Sequence, residues 1–433
     1  MLDRLFALEH FGIKLGLENV TRLCEALGHP ERTFTSLHVA GTNAKGSVTA
    51  MVHSSLLAAG VHAGRYISPH LHDLSERYVV GSTPVDAATL NRVAEDVLAV
   101  VDRLRAEGVL TVSPTFFEVT TVMAFEIFRR AAIETAVIEV GLGGRFDATN
   151  VISPVAGAIT TIGFDHQQHL GNTLEAIAFE KAGIIKPGMT VVAGDLPPAA
   201  MRVVQRVAGE RGAHLIEASH DVLVDSTMQD GRARVTLTTP GGSYGPVHLS
   251  LRGAHQVANA TVAVRLLEAA REMGIPVTRS AIERGLASTE WPARLELVPV
   301  ESGKHVLIDA AHNTDGAEVL AAYLKRWHPE RPPLVVSIMS DKNVAEILRI
   351  LLPVTSDVFA TLAPSPRATP LDDLVRVVAE IRPGGADAGI HAVADPMEAI
   401  EHALARHDVV CVAGSIFLAG AVRDALMRRA ILH

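Results

Sequence analysis

The sequence has few cysteines, no excess of positive charge and no long uncharged apolar run, and each of these absences argues against a class of protein. Only Cys24 and Cys411 occur in 433 residues, so neither a disulfide framework nor a cysteine zinc site is indicated. The 39 basic residues are outnumbered by 48 acidic ones, which argues against a general surface for nucleic acid or anionic membranes. No apolar run approaches the length of a membrane span, and the charged N-terminal residues are unlike a signal peptide. We therefore expect a cytoplasmic protein that contacts neither nucleic acid nor a membrane, and we also expect a monomer.

Strand-like apolar runs alternate with helical patterns along almost the whole chain. Such alternation is typical of a mainly parallel sheet covered by crossover helices. The runs are TSLHVA, AGRYI, TAVIEV, VAGAITTI and TVVAGD, followed later by HVLIDA, LVVSIM, DVFATL and DVVCVAG. Between Ala218 and Leu251 the pattern alternates residue by residue, as in antiparallel strands, and Trp291-Pro292 interrupts it. We predict an α/β protein: a P-loop-type, mainly parallel sheet domain with an antiparallel addition at 1–290, and a smaller Rossmann-like α/β domain at 291–433.

The stretch GTNAKGS, residues 41–47, follows one strand-like run and precedes a helical pattern. Its glycines, Lys45 and Ser47 are the residue types of a phosphate-binding loop. Glycine lets the backbone approach a phosphate, lysine supplies charge, and the N–H groups at a helix N-terminus bind anions. The order differs from the common G-x-x-x-x-G-K-[ST] motif, because Lys45 precedes Gly46. These residues indicate a phosphate site, with an ordinary strand-to-helix turn carrying a surface lysine as the alternative.

A second glycine cluster, VGLGGRFDATN, also follows a strand-like run. A dinucleotide-binding fingerprint needs glycine at its first, third and sixth positions, and the sixth position here is Phe146, so that interpretation fails. The run before the cluster contains Glu139. A carboxylate inside an apolar strand has to be paired, protonated or bound to a metal ion, and the sequence leaves these alternatives open.

The segment that ends near Lys181 contains two histidines and then a helical pattern. Lys181 falls on the inward stripe of that helix, together with Leu174, Ile177, Ala178 and Ala182. A lysine that faces a core is costly unless it is paired, chemically altered or placed beside a site. A snorkelling side chain and a structural ion pair are the alternatives. A zinc site at His70 and His72, or at His166 and His169, lacks further ligands at suitable spacing.

Taken together, these stretches resemble the folylpolyglutamate synthase and dihydrofolate synthase family of the Mur ligase superfamily, whose loop is GTNGKGS. The motifs that carry the resemblance are KLGLENV, YISPHL, TFFEVTTVMAF, EVGLGGRFDATN, DHQQHLG, FEKAGIIKPG, GAHQVANA, WPARLELV, DAAHN, MSDKN and AGSIFLAG. They occur in order over nearly the whole chain. Ala44 replaces the loop glycine, Asn19 stands where arginine is common, and Ala310 stands where the family has glycine.

The resemblance implies an ATP-dependent amide ligase with two Mg²⁺ ions. A folate or pteroate carboxylate attacks the γ-phosphate of ATP to give an acyl phosphate, and the amine of L-glutamate then displaces phosphate. This chemistry needs positive charge wherever oxygens crowd. The expected partners are small molecules: ATP, L-glutamate and folate or dihydropteroate.

The resemblance also implies roles for individual residues. The catalytic residues would be Lys45, His166 and Lys181, the last as a carbamylated lysine. The ATP-binding positions would be Asn43, Ala44, Lys45, Gly46, Ser47, Asn259, Arg294 and Asp309, and the metal ligands would be Ser68, Glu139 and His166. The substrate-binding positions would be Thr115, Phe116, Phe117, Glu118, Phe146, Asp147 and Ala148 for the folate, with His312 and Ser415 for glutamate or phosphate. For Phe116 and Phe117, a purely structural role in the core is the alternative.

Three other functions remain open from the sequence. A cell-wall Mur ligase is the nearest, and a phosphotransferase that stops at the acyl phosphate is the second. The third is a nucleotide-binding module without catalysis, against which the joint presence of Lys45, Glu139, His166 and Lys181 argues. The sequence also leaves open whether folates, dihydropteroate or both are substrates.

Overall fold

The computed structural model describes residues 2–8, 16–300, 303–382 and 389–431. Lys14 and Leu15 of the KLGLENV motif lie outside these ranges. The chain divides into two compact units. The first comprises the chain up to Ser226 together with Val235–Leu249 and Val257–Thr289, and the second comprises Thr227–Arg234, Ser250–Gln256 and the chain from Glu290 onward.

The first unit contains a large sheet in which most strands are parallel. Its strands are β1 (Thr35–Ala40), β2 (Ala63–Tyr66), β3 (Tyr78–Val80), β4 (Thr83–Pro84), β5 (Thr135–Glu139), β6 (Ala156–Ile159), β7 (Thr190–Ala193) and β8 (His214–Glu217). Their order is β4-β3-β2-β5-β1-β6-β7-β8. The six neighbouring strands β2, β5, β1, β6, β7 and β8 are parallel to one another. The strands β3 and β4 are antiparallel additions at the edge next to β2. The strands β5 and β1 are buried along most of their length because they lie at the centre of the sheet.

Helices pack against this sheet through two apolar clusters. The helices are α1 (Leu2–Phe6), α2 (Glu18–Ala26), α3 (Lys45–Ala58), α4 (Ala87–Ala106), α5 (Phe116–Arg130), α6 (Gln167–Leu170), α7 (Leu174–Ala182), α8 (Pro198–Glu210), α9 (His255–Glu272) and α10 (Arg279–Ser288). Short 3₁₀ turns span Pro30–Arg32, Leu74–Arg77, Ala148–Val151 and, in the second unit, Leu352–Val354. One cluster joins α2, α4 and α5 to β2 and β5, and the other joins α7 and α8 to β6 and β7.

The residues between Ala218 and Leu251 form a separate small sheet. Its strands are β9 (Leu223–Gln229), β10 (Arg232–Thr239) and β11 (Gly242–Arg252), in the order β11-β10-β9. Buried and exposed residues alternate along most of β10. That alternation is the physical basis of the residue-by-residue pattern in the sequence, because successive side chains of a strand point to opposite faces.

The second unit is built around its own sheet. The strands are β12 (Glu296–Pro299), β13 (His305–Ile308), β14 (Leu334–Val336), β15 (Val358–Ala360), β16 (Ile390–Ala392) and β17 (Val409–Ala413), in the order β12-β13-β17-β14-β15-β16. Among the described strands of this sheet, only β12 is antiparallel to its neighbour. The helices are α11 (Thr314–Trp327), α12 (Val344–Leu351), α13 (Leu371–Ile381), α14 (Pro396–Leu404) and α15 (Ile416–Ile431). The predicted α/β class is confirmed: one sheet is large and mainly parallel, and a second sheet with its own helices lies near the C-terminus.

Two helical glycines of the first unit have opposite surroundings. A Cβ atom at Gly285 in α10 would overlap the backbone of Ser55 in α3, whereas a Cβ at Gly209 in α8 would meet no atom within 4 Å. We expect Gly285→Ala to lower the free energy of unfolding by about 1–3 kcal/mol through overpacking. Gly209→Ala, the matched control, should raise it by up to about 1 kcal/mol because alanine favours the helix. Urea unfolding of both variants measures the two effects, and equal stabilisation by both would contradict the close packing of α3 against α10.

Candidate active site

The loop 41–44 turns the chain from β1 into α3 at the centre of the large sheet. Gly41 has a φ of 154°, and a Cβ atom there would clash with the side chain of Thr160, so this position requires glycine. The loop is tied to the residues that follow β6. Asn43 donates its backbone N–H to Thr161 Oγ1 at 2.9 Å, and the Thr160 hydroxyl donates to the carbonyl oxygen of Asn43 at 2.6 Å. The backbone of the loop is therefore held in one conformation.

The first turn of α3 presents backbone N–H groups at the end of the loop. The backbone N–H of Val48 donates to the carbonyl oxygen of Ala44 at 2.9 Å, which is the first hydrogen bond of this helix. The N–H groups of Lys45, Gly46 and Ser47 precede it and have no acceptor within the helix. Such groups, together with the helix dipole, stabilise negative charge. The loop therefore has the geometry that a nucleotide phosphate needs.

Two lysine side chains converge on one carbonyl oxygen of this loop. Lys45 Nζ donates to the carbonyl oxygens of Gly41 at 3.1 Å and Thr42 at 3.2 Å. Lys181 Nζ, from the buried face of α7, donates to the same Gly41 oxygen at 2.8 Å. The acceptor that this contact gives Lys181 is therefore a backbone carbonyl oxygen.

The environment of Lys181 favours the neutral amine. Its side chain is buried, as the helical spacing predicts. Burial, followed by the positive charge of Lys45, lowers the pKa of Lys181 from 10.5 to about 7, although Asp165 and Asp147 act in the opposite direction. In a large fraction of the protein molecules, the Lys181 amine is therefore unprotonated near neutral pH. The unprotonated amine is nucleophilic.

The predicted metal ligands follow neighbouring strands. Ser68 follows β2, Glu139 is the last residue of β5, and His166 lies in the segment after β6. Because the carboxyl ends of the parallel strands β2, β5, β1 and β6 lie side by side, these three residues and the loop share one edge of the sheet.

The donor atoms at this edge suit a hard cation. Ser68 Oγ is buried and has no hydrogen-bond partner, and the Glu139 side chain is also buried. His166 is less enclosed, with 38% of its side chain exposed and Nε2 at 3.8 Å from a carboxylate oxygen of Asp165. A hydroxyl and a carboxylate oxygen are ligands that Mg²⁺ accepts. No cluster of three or more His, Cys, Asp or Glu side chains that could hold a metal was found among the described residues.

The predicted folate-binding residues of α5 also have structural roles. Thr115 and Glu118 form a capping box, in which the Thr115 N–H donates to Glu118 Oε2 at 2.7 Å and the Glu118 N–H donates to Thr115 Oγ1 at 3.2 Å. The other carboxylate oxygen, Glu118 Oε1, is buried without a hydrogen-bond partner. Phe116 stacks on Phe6 with ring centroids 5.7 Å apart, and Phe117 packs near Tyr66. Both rings therefore contribute to the core, and Glu118 Oε1 is the polar atom that remains available.

Asp147 is the end of a buried hydrogen-bond chain. Its carboxylate accepts the Leu142 N–H at 2.7 Å and is bonded by the backbone N–H and hydroxyl of Thr149. The Thr149 hydroxyl in turn lies 2.9 Å from Nε2 of His38 in β1. Burial raises the pKa of Asp147, although these hydrogen bonds act the other way. Beside it, the guanidinium of Arg145 lies 4.2 Å from the ring centroid of Phe146, and Ala148 opens the 3₁₀ turn Ala148–Val151.

Two polar side chains of this region were not predicted from the sequence: His38, which is buried, and Arg65, which is partly buried. His38 lies inside β1, where burial lowers its pKa to about 3 and keeps it neutral. Arg65 lies inside β2, where burial lowers its pKa to about 10 while the charge of Glu139 acts to raise it. Both sit within apolar runs, TSLHVA and AGRYI, so the criterion applied to Glu139 also identifies them.

Among the remaining predicted positions, Asn259 belongs to the first unit, whereas Arg294 and Asp309 belong to the second. Asn259 lies in the first turns of α9 and is buried. Asp309 accepts the Leu295 N–H at 2.9 Å and the Ala311 N–H at 2.8 Å, and the charge of Arg294 opposes the burial that raises its pKa. These bonds hold the loop after β13 in place.

His312 and Ser415 follow two adjacent strands of the second sheet, β13 and β17. Their loops are joined by the Gly414 N–H, which donates to the carbonyl oxygen of Ala311 at 2.9 Å. His312 Nδ1 lies 2.9 Å from the carbonyl oxygen of Ala310, and Ser415 Oγ accepts the Phe417 N–H at 3.1 Å. Both side chains therefore lie at the carboxyl edge of this sheet.

Comparison with known proteins places the chain in a family. It matches the Mur ligase middle domain over residues 39–267 and the Mur ligase glutamate ligase domain over residues 293–416. It is 33% identical over 425 residues to the dihydrofolate synthase/folylpolyglutamate synthase of Bacillus subtilis, with 96% of each chain covered. It is 34% identical over 420 residues to the folylpolyglutamate synthase of Lacticaseibacillus casei, with 94% of each covered. The chain belongs to the folylpolyglutamate synthase and dihydrofolate synthase family of Mur ligases.

Solved structures agree with this membership. The structure of Mycobacterium tuberculosis folylpolyglutamate synthase complexed with ADP is similar with a TM-score of 0.89, at 32% identity and 98% coverage of each chain. The resemblance inferred from the motifs is thus confirmed, and the chain is an acid–amino-acid ligase. None of the helices in the described part of the chain has the length and apolar character needed to span a membrane.

Ala44, which replaces the family's loop glycine, has a left-handed backbone with φ 67° and ψ −9°. This conformation costs an L-residue about 1–2 kcal/mol, whereas glycine adopts it freely at an entropic cost of about 0.5–1 kcal/mol. We therefore expect Ala44→Gly to raise the free energy of unfolding by up to about 1 kcal/mol.

The matched control lies at the other end of the same helix. Ala59 has a right-handed backbone with φ −83°, so Ala59→Gly should lower stability by about 0.5–1 kcal/mol. Urea unfolding measures both variants. A loss of stability in Ala44→Gly as large as that in Ala59→Gly would contradict the strain assigned to Ala44.

Proposed function

We propose that this protein uses ATP to ligate L-glutamate to the carboxylate of folates through an acyl phosphate. The observation that carries the proposal is the convergence of Lys45 and Lys181 on Gly41 at the start of α3, in a chain related over nearly its full length to folylpolyglutamate synthases. Several relatives are also named dihydrofolate synthase, so dihydropteroate is the second carboxylate to test.

In the first step, a carboxylate oxygen of the folate attacks the γ-phosphorus of ATP and the bond to ADP breaks. Negative charge then crowds at the oxygens of the transferring phosphoryl group. The N–H groups of the first turn of α3 and the Lys45 ammonium are positioned to bind those oxygens. We assign Asn259 to the purine, Arg294 to the phosphates and Asp309 to the ribose on the resemblance alone.

In the second step, the amine of L-glutamate attacks the acyl carbon, an amide bond forms, phosphate leaves and the amine loses a proton. His312 and Ser415 are assigned to the glutamate or to the departing phosphate. On the folate side, Glu118 Oε1 is a buried acceptor without a partner, and Asp147 is a second buried carboxylate. Ring N–H donors of the pterin supply the hydrogen bonds that such acceptors need.

Ser68, Glu139 and His166 would hold Mg²⁺, which supplies charge neutralisation for the phosphate oxygens. The orphaned Ser68 hydroxyl and the buried Glu139 carboxylate support this assignment. Lys181 is assigned as a carbamylated lysine: its neutral amine adds to CO₂, a C–N bond forms, and one proton is released. The product is an anion beside Lys45, so the Lys45 ammonium, which disfavours a positive charge on Lys181, attracts the carbamate.

The reaction itself is tested by product analysis. With ATP and L-glutamate present, we expect ADP release to require both a carboxylate substrate and glutamate, and mass spectrometry to detect a product longer by one glutamyl residue. Tetrahydrofolate and dihydropteroate are compared side by side, since each contains the carboxylate that would react. ADP release that continues without glutamate, with no amide product, would instead identify a phosphotransferase.

Lys45 is the test of the phosphate loop. Lys45→Ala removes the charge directed at the transferring phosphoryl group, so we expect turnover to fall by about 10²–10³-fold. Lys304→Ala serves as the control, because Lys304 binds the carbonyl oxygen of Leu404 in the second unit. Thermal melting verifies that both variants fold. Near-normal ligation by a folded Lys45→Ala variant would refute the assignment of the loop.

Carbamylation of Lys181 is tested by NMR with ¹³CO₂. The pKa of about 7 predicts that the carbamate signal increases as the pH rises through about 6 to 8, because only the neutral amine reacts. Lys181→Gln should abolish the signal. Lys186→Gln is the control, because Lys186 also has a pKa lowered by burial, to about 8, and donates to Asn150. A fully active wild-type protein with no such signal would show that Lys181 works as an unmodified amine.

A further inference from the structure

The carboxyl edge of the second sheet brings four loops together. The strands β13, β17, β14 and β15 are parallel neighbours in that order, so the residues that follow them lie side by side. Hydrogen bonds join these loops directly. The Gly414 N–H donates to the carbonyl oxygen of Ala311, and the Ala363 N–H donates to Ser337 Oγ at 3.0 Å. The loop after β15 is therefore part of the same edge as His312 and Ser415.

Arg367 lies in the loop after β15, and its backbone is fixed against the loop after β14. The Ser340 N–H donates to the carbonyl oxygen of Arg367 at 2.8 Å, and the Thr369 N–H donates to that of Ile338 at 2.9 Å. An isolated antiparallel bridge joins Met339 to Ala368. The backbone position of Arg367 is thus well defined, while 57% of its side chain is exposed.

The guanidinium of Arg367 is oriented by a ring and held loosely by a carboxylate. It lies 5.5 Å from the ring centroid of Phe417, and its Nη1 is 3.9 Å from Asp341 Oδ1. A cation over an aromatic face is directed without being neutralised. The ion pair is long and partly exposed, and such pairs contribute little to stability, so a ligand carboxylate can replace Asp341. Arg367 therefore presents an oriented cation that remains available to a ligand.

We infer that Arg367 binds the side-chain carboxylate of the incoming L-glutamate and so sets the preference for this amino acid; this inference rests on the proposed function. Phe417, the ring under the guanidinium, donates its N–H to the hydroxyl of Ser415, a residue assigned to glutamate. L-Glutamate has an α-carboxylate and a side-chain carboxylate. The site has to distinguish it from L-glutamine, which has an amide in place of the side-chain carboxylate. The planar guanidinium can form two parallel hydrogen bonds to one carboxylate, which an amide cannot accept in the same way.

The experiment measures steady-state kinetics of the wild-type protein and of Arg367→Gln with L-glutamate as the varied substrate. We expect the KM for L-glutamate to rise by about 10- to 100-fold, because the variant loses a charged pair of hydrogen bonds to the substrate. The KM for ATP should stay unchanged. The ratio of kcat/KM for L-glutamate over L-glutamine should fall by a similar factor. Arg349→Gln is the matched control, because Arg349 on α12 has 58% of its side chain exposed and pairs with Glu346 at 3.1 Å.

One further substrate and one further variant make the result decisive. L-Glutamate amidated at its α-carboxyl keeps the side-chain carboxylate, so Arg367→Gln should weaken its use as well; an undiminished rate would overturn the assignment to the side chain. Arg367→Lys keeps the positive charge but loses the planar guanidinium that forms two parallel hydrogen bonds. This variant replaces Arg367→Gln in the kinetic measurements if Arg367→Gln fails to fold. An unchanged KM for L-glutamate in a folded Arg367 variant would overturn the inference. A wild-type protein that ligates no glutamate would instead overturn the proposed function.

Discussion

Two lysine amino groups share the carbonyl oxygen of Gly41, and the chemistry proposed for this protein depends on that contact. Like charges so close repel each other, and burial of Lys181 adds the cost of removing an ion from water. The pKa of about 7 expresses both effects. The loop proposed to bind the phosphates therefore also lies beside an amine that loses its proton readily.

The contact is possible because of how the sheet is ordered. The strands β2, β5, β1 and β6 end side by side, so an orphaned serine hydroxyl, a buried glutamate, the loop and a histidine occupy one edge. The threonines after β6 then fix the loop by accepting and donating hydrogen bonds. In the second unit too, the carboxyl ends of parallel strands lie side by side, so His312, Ser415 and Arg367 lie at one edge of its sheet. In both units, residues that are distant in sequence become neighbours through strand order.

Much of this arrangement could be predicted from the sequence, and the exceptions have physical reasons. The runs TSLHVA, TAVIEV and HVLIDA became strands, because buried parallel strands are continuously apolar. The inward direction of Lys181 followed from helical spacing. The short edge strands β3 and β4 were missed, because a strand of two or three residues is too short to show a periodic pattern. The contact between Lys181 and Gly41 joins residues 140 positions apart, and such contacts depend on tertiary packing that local patterns do not encode.

The proposed reaction depends on activation of the folate carboxylate by phosphoryl transfer at the Gly41 loop. It is tested most directly by labelling both carboxylate oxygens of the folate substrate with ¹⁸O and analysing the phosphate released during glutamate ligation. An acyl phosphate keeps one substrate oxygen as the bridge to phosphorus, so we expect each released phosphate to carry one ¹⁸O atom. Release of unlabelled phosphate alongside amide formation would rule out an acyl phosphate.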